Sequence, residues 1–222
     1  MKPEIKWIFF DVGGVLLVDT KTEGLRKKYL LEVLKSWDKK ITLAQIEKII
    51  PKASGMIGKQ NDNILAQFIT NKTALVAASE QMMIFWKEKV RYTENSFVNP
   101  EAKNVLKVLS KNYKLGILAN QPMAAKDKLQ KAGIDKYFEH FTVSAEHGLE
   151  KPDPKFFKAI FKASGANPKE SVMIDDNIER GLLPAKTFGM TTVWYNRRKR
   201  NNIPKDKIDY TIKSLNELLK LF

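Results

Sequence analysis

Four short segments of this chain each set residues that can do chemistry at or just beyond the end of an apolar run. Asp11 follows "WIFF" and precedes, after one valine, Gly13 and Gly14; Ala119 and Asn120 follow "LGIL"; Lys151 stands in "EKPDPKFF", beyond "FTVSA"; Asp175 and Asp176 follow "SVMI". Carboxylates gathered in one place repel and raise one another's pKa, so a divalent cation is their natural partner. An all-oxygen set with few protein ligands suits Mg²⁺, which keeps several waters and takes a phosphate oxygen from a substrate. With a lysine beside it, the set points to phosphoryl chemistry on a small phosphorylated substrate. Each residue also has a bland reading. Asp11 alone could end a strand in a turn, Asp175 and Asp176 could cap a helix starting at Asn177, and Lys151 alone would be a surface lysine.

The chemistry requires elements that bring these residues together. Ligands of open parallel sheets bind outside the carboxyl ends of the strands, and the texture of the chain predicts such a sheet. Residues 5–10 ("IKWIFF") form a nearly continuous apolar run, as in a strand buried on both faces. From about Thr20 to Val90, "EGLRKKYLLEVLKSW", "TLAQIEKII", "NDNILAQFIT" and "ALVAASEQMMIFWKEKV" space their apolar residues by three and four. That spacing predicts helices, with Thr42 and Asn61 or Asp62 as N-caps. After "NSFVNP" the pattern alternates. A helix from about Glu101 to Lys111 is followed by strand "YKLGILAN", a helix through Leu129 and strand "FTVSA". Helix "PKFFKAIFKASG", strand "SVMID", helix "NIERGLLPAKTFG", strand "TTVWY" and a closing helix "SLNELLKLF" complete the order. The alternation implies an α/β fold, a Rossmann-like doubly wound parallel sheet. The expected organisation is a core of residues 1–17 and 98–222, with a small all-helical domain, 18–97, inserted after strand one.

In this order, "FFDVGGVL", "LGILANQ", "EKPDPKFF" and "VMIDDNIERGLLPAKTFGM" resemble the four motifs of the haloacid dehalogenase-like hydrolase superfamily. The resemblance spans nearly the whole chain and is greatest to members with a helical cap after the first motif. That group includes sugar-phosphate phosphatases and the N-terminal phosphatase domain of soluble epoxide hydrolase. It implies Asp11 as a nucleophile that forms an aspartyl-phosphate, and Lys151 as the group neutralising Asp11 and the transferring phosphoryl group. It also implies Asp11, the Gly13 carbonyl, Asp175 and Asp176 as the Mg²⁺ set, and Gly14, Ala119, Asn120 and Lys151 as the substrate-binding set. The helical insertion would close over the site and choose the leaving group.

Two positions depart from the family pattern. Gly13 stands where most of its phosphatases carry a second aspartate that protonates the leaving oxygen, help worth about 10²–10⁴ in rate. Ala119 stands where a Ser or Thr usually donates to a phosphoryl oxygen. A first motif of the form D-x-G-[GN]-V also occurs in members described as phosphatases. The expectation is therefore a Mg²⁺-dependent phosphomonoesterase that favours anomeric, aryl or acyl phosphates. The alternatives are an impaired relative that binds a phosphorylated ligand or partner, and a dehalogenase, against which the Asp175–Asp176 pair argues.

Composition limits the other classes. At 222 residues, 43% hydrophobic and 29% charged, the chain can bury a substantial core. It has no cysteine, which excludes disulfides, thiolate metal sites and cysteine nucleophiles; His140 and His147 alone leave little scope for a histidine zinc site. No apolar run approaches the roughly 20 residues that span a bilayer, so a cytoplasmic protein without a membrane partner is expected. The formal charge of +14 is spread among acidic residues, with only Arg197 to Arg200 densely clustered. Nucleic acid is therefore not an expected partner, and the state is expected to be monomer or homodimer. "GMIGKQ" lacks the spacing and hydroxyl of a P-loop, and the chain has neither G-x-G-x-x-G nor G-x-S-x-G.

Overall fold

The structure, a computed structural model, describes residues 4–18, 22–85, 96–197 and 207–222. Its centre is a six-stranded sheet made of β1 (Trp7–Phe10), β4 (Lys114–Ala119), β5 (His140–Val143), β6 (Ser171–Asp175), β7 (Thr191–Tyr195) and β8 (Tyr210–Ile212). The spatial order is β5-β4-β1-β6-β7-β8, with every neighbouring pair parallel. Chain order therefore runs outward from β1 in both directions, and the crevice of a doubly wound sheet opens at that reversal. Register does the rest. Phe10 is level with Ile117 on one side and Ile174 on the other, so Asp11 comes out level with Asp175 and one residue short of Ala119.

The apolar continuity of β1 reflects burial on both faces. Phe9 packs against Trp7, 5.4 Å between ring centroids, and against Phe161, whereas the next residue, Phe10, packs against Phe138. Gly116 sits opposite Phe9, and a Cβ there would lie 2.4 Å from the phenyl ring. Gly116→Ala is accordingly expected to destabilise the fold by about 1–3 kcal/mol through overpacking, read as a lowered denaturation midpoint at unchanged m-value.

The sixth strand, β8, is not predicted by the sequence pattern, being only three residues long. A side chain just before it fixes its place. Asp209 accepts from the Thr192 amide (2.9 Å), the Thr192 hydroxyl (2.7 Å) and Lys186 Nζ (2.9 Å). Burial pushes its carboxyl up, but the Lys186 and Thr192 hydrogen bonds outweigh that and hold it below the ordinary value. A folded pKa below the unfolded one adds stability above about pH 4 that is lost as pH falls through the folded value. Asp209→Asn should therefore lose stability at neutral pH and converge with the parent in acid, as denaturant melts across a pH series would show.

A two-stranded antiparallel ribbon, β2 (Leu17–Val18) with β3 (Phe97–Val98), was also beyond the pattern. The chain divides into two compact units there: one ends at Val18 and resumes at Phe97, and the other lies between. The second unit contains α1 (Thr22–Lys35), α2 (Leu43–Ser54), α3 (Gln60–Leu65) and α4 (Lys72–Phe85) around its own core of Leu30, Leu34, Ile46, Ile64, Leu65 and Met82. Thr42 caps α2 through a capping box with Gln45. Asn61 and Asp62 do not cap α3, because the helix begins earlier, at Gln60, and Asn61 there accepts from the buried Arg26.

The expected single helix after β6 is two pieces, a π-turn over Ile178–Leu182 and a short helix over Leu183–Thr187. Pro184 cannot supply the N–H that an α-helix would give the Arg180 carbonyl, and the Leu182 amide bonds back to the Asn177 carbonyl instead. Among the described residues no helix is long and apolar enough to cross a membrane. Most of the basic cluster, Arg198 to Arg200, lies outside the described residues.

Candidate active site

The sheet delivers three of the expected residues to one point. Lys151 Nζ donates to Asp11 Oδ1 at 2.7 Å and to Asp175 Oδ2 at 2.5 Å, so the ammonium bridges the ends of β1 and β6. One carboxylate oxygen from each of Asp11, Asp175 and Asp176 lies within 4.8 Å of the others. Asp11, Lys151 and Asp175 are 7%, 3% and 1% exposed, which makes this a buried charge cluster rather than a surface ion pair.

Burial is the largest influence on Asp11. It pushes the carboxyl up to about 7 against the pull of Lys151, and the nearby Asp175 and Asp176 push the same way. Burial pulls Lys151 down, yet Asp11 and Asp175 together outweigh it and hold the amine above its ordinary value. Three carboxylates meet here, with the Lys151 ammonium between Asp11 and Asp175. The all-oxygen donor set fits a hard divalent cation.

Small residues make room for this cluster. Gly14 has φ +83°, and a Cβ there would stand 2.4 Å from Asp176 Oδ2. Its N–H donates to the Leu17 carbonyl at 2.7 Å. Gly181, which the sequence reading passed over, lies so close to Asp175 that a Cβ would fall 1.9 Å from Oδ2. The signal was a glycine inside a helical pattern, which marks a close approach.

Asn120 holds the segment that carries the lysine. Its Oδ1 accepts from the Lys151 amide at 2.7 Å and its Nδ2 donates to the Lys151 carbonyl at 2.8 Å, so its side chain grips the lysine backbone. Ala119 ends β4, fully buried and paired with Val143. Gly13 follows in the turn after Asp11 and forms an isolated bridge with Leu17. His147 is exposed at the end of a short helix, Ser144–His147, with its ring near Phe156.

A second ring of contacts lay beyond sequence reasoning. Glu150, next to Lys151, pairs at 3.2 Å with the buried Arg180 from the π-turn that follows Asp175. The segment carrying the lysine and the segment carrying the paired aspartates are thus tied together behind the charge cluster. Past Lys151 the chain enters a helix over Pro154–Ser164, with Asp153 as N-cap on the Lys155 amide and Pro154 in its first turn.

Comparison with known proteins agrees with this arrangement. A family model described as "Hydrolase: haloacid dehalogenase-like hydrolase" matches residues 5–189. A glyceraldehyde 3-phosphate phosphatase of Methanocaldococcus jannaschii is 33% identical over 226 aligned residues, covering 98% of this chain and 96% of the relative. The pyrimidine 5'-nucleotidase YjjG of Escherichia coli is 31% identical over 231, covering 97% and 96%. Among solved structures, a HAD phosphatase from Thermococcus onnurineus superposes with a TM-score of 0.63 at 25% identity, covering 98% of this chain and 97% of that one. Motif order, sheet topology and a match across most of the sequence agree: the chain belongs to the haloacid dehalogenase-like hydrolase family.

Proposed function

We propose that this chain is a Mg²⁺-dependent phosphomonoester hydrolase of a small phosphorylated metabolite, working through an aspartyl-phosphate on Asp11. The observation that carries the reading is Lys151 bridging the buried Asp11 and Asp175, with a carboxylate oxygen of Asp176 close enough to share one cation with theirs. The relatives named as phosphatases and as a nucleotidase support the substrate class.

Asp11, Asp175, Asp176 and the Gly13 carbonyl would hold Mg²⁺. Once bound, the ion supplies Lewis-acid stabilisation of phosphoryl oxygens. Asp11 attacks phosphorus, its bond to phosphorus forming as the bond to the leaving oxygen breaks. Water then attacks the same phosphorus, releasing inorganic phosphate and returning Asp11 as a carboxylate. Lys151 favours the ionised form of Asp11 and orients it, then meets the charge spread over the phosphoryl oxygens. Asn120 fixes the lysine's backbone, while Glu150 and Arg180 brace its segment.

Hydrolysis of p-nitrophenyl phosphate should appear with MgCl₂ and vanish with excess chelator. Equal rates in both conditions would refute metal dependence. Chloride release from a 2-haloacid without phosphate hydrolysis would instead identify a dehalogenase.

A further inference from the structure

The phosphoryl group would sit on the Gln121 side of Asp11. Lys151 holds Oδ1 of that carboxylate, while Oδ2 lies 4.0 Å from the point where a Gly13 Cβ would be. Gln121 Nε2 stands only 2.6 Å from that same point. The space left by the missing side chain at residue 13 is therefore filled by a carboxamide from the loop after β4.

That loop is anchored in a way that directs the side chain. The Gln121 amide donates to Ser144 Oγ at 3.1 Å, and its carbonyl accepts from the Ala145 amide at 3.4 Å. Its backbone is thus fixed to the first turn of the Ser144–His147 helix. Gly13 and Gln121 exclude each other's alternatives: a side chain at 13 needs the amide to swing out, and the amide needs a glycine at 13.

We propose that the Gln121 carboxamide donates a hydrogen bond to the leaving oxygen during transfer to Asp11, and so restricts the substrates to phosphates of acidic leaving groups. The inference rests on the phosphatase reading above. As the bond from phosphorus to the leaving oxygen breaks, the electron pair goes with that oxygen. An amide N–H can stabilise the developing anion but does not give up its proton at neutral pH, so the oxygen departs as an anion and is protonated afterwards by water. Acyl, aryl and anomeric phosphates tolerate such a departure. Esters of primary alcohols do so poorly.

The test compares p-nitrophenyl phosphate, phenyl phosphate, acetyl phosphate, glucose 1-phosphate and glyceraldehyde 3-phosphate, all with MgCl₂. The parent should follow leaving-group acidity steeply, with the primary-alcohol ester slowest. Gln121→Ala should lower kcat/KM for phenyl phosphate by about 10²-fold, and for p-nitrophenyl phosphate much less. Gln121→Glu, which offers a transferable proton, should flatten the dependence and add a pH limb.

A second measurement reads position directly. Beryllium fluoride with MgCl₂ should give a bound ¹⁹F signal and shift the Gln121 side-chain amide resonance. Failure of the adduct together with absent phosphatase activity would overturn the phosphatase reading, and this inference with it. An adduct that leaves the amide unmoved, or a Gln121→Ala effect equal across all esters, would overturn this inference alone.

Discussion

Asp11→Asn is expected to lower kcat for p-nitrophenyl phosphate by about 10⁴-fold or more while leaving the thermal midpoint unchanged or raised. The loss follows from removing the nucleophile, since knocking out one member of such a unit costs nearly all of the covalent catalysis. Stability behaves differently. The carboxyl at this position is 7% exposed and pushed up to about 7 by burial, so the folded chain holds its charge at a cost. Asparagine keeps the shape and removes that cost, and Lys151 retains Asp175 at 2.5 Å as its counter-ion. Parallel melts and assays decide the matter. Retained turnover would dismiss Asp11 as nucleophile, and a collapsed midpoint would assign the lost activity to unfolding.

Lys151→Met should damage both properties. Deleting the ammonium leaves Asp11 and Asp175 buried side by side without their shared partner, a change that typically costs about 3–5 kcal/mol. Asp11, already raised to about 7, can take up a proton and keep the loss near the lower end of that range. Activity should fall by about 10²–10³, the usual result of removing one preorganised stabilising group. The three remaining carboxylates still form a cation-binding set, so MgCl₂ should raise the midpoint of this variant more than that of the parent. A midpoint equal to the parent's without added metal would show that the bridge contributes nothing to the fold.

These expectations rest on parts of the molecule that were unequally visible in the sequence. β1 was plain because its apolar run has no polar interruption after Lys6, and the register with β6 follows once the sheet is parallel. The lysine and the paired aspartates were visible through motif order. Hidden were features decided by few residues or by distant partners. The ribbon strands β2 and β3 are two residues each, too short for an alternation to register. Asn120 could be named from its motif, but its hold on a backbone 31 positions away could not. Gly14 could be named from its motif, but the bond of its amide to Leu17 and the clearance it gives Asp176 could not. Arg180 gave no signal in the sequence, because only the π-turn aims it at Glu150.

The ribbon of Leu17–Val18 with Phe97–Val98 has an evolutionary side. It brings the departing and returning chain to adjacent positions, Leu17 level with Val98. Whatever runs between them starts and finishes at one doorway, and among the described residues none of the six parallel strands shares a pairing with it. The intervening stretch is therefore free to grow, shrink or be exchanged for another module with the sheet's pairings intact. Inheritance can rewrite one half of such a protein while the other half keeps its chemistry.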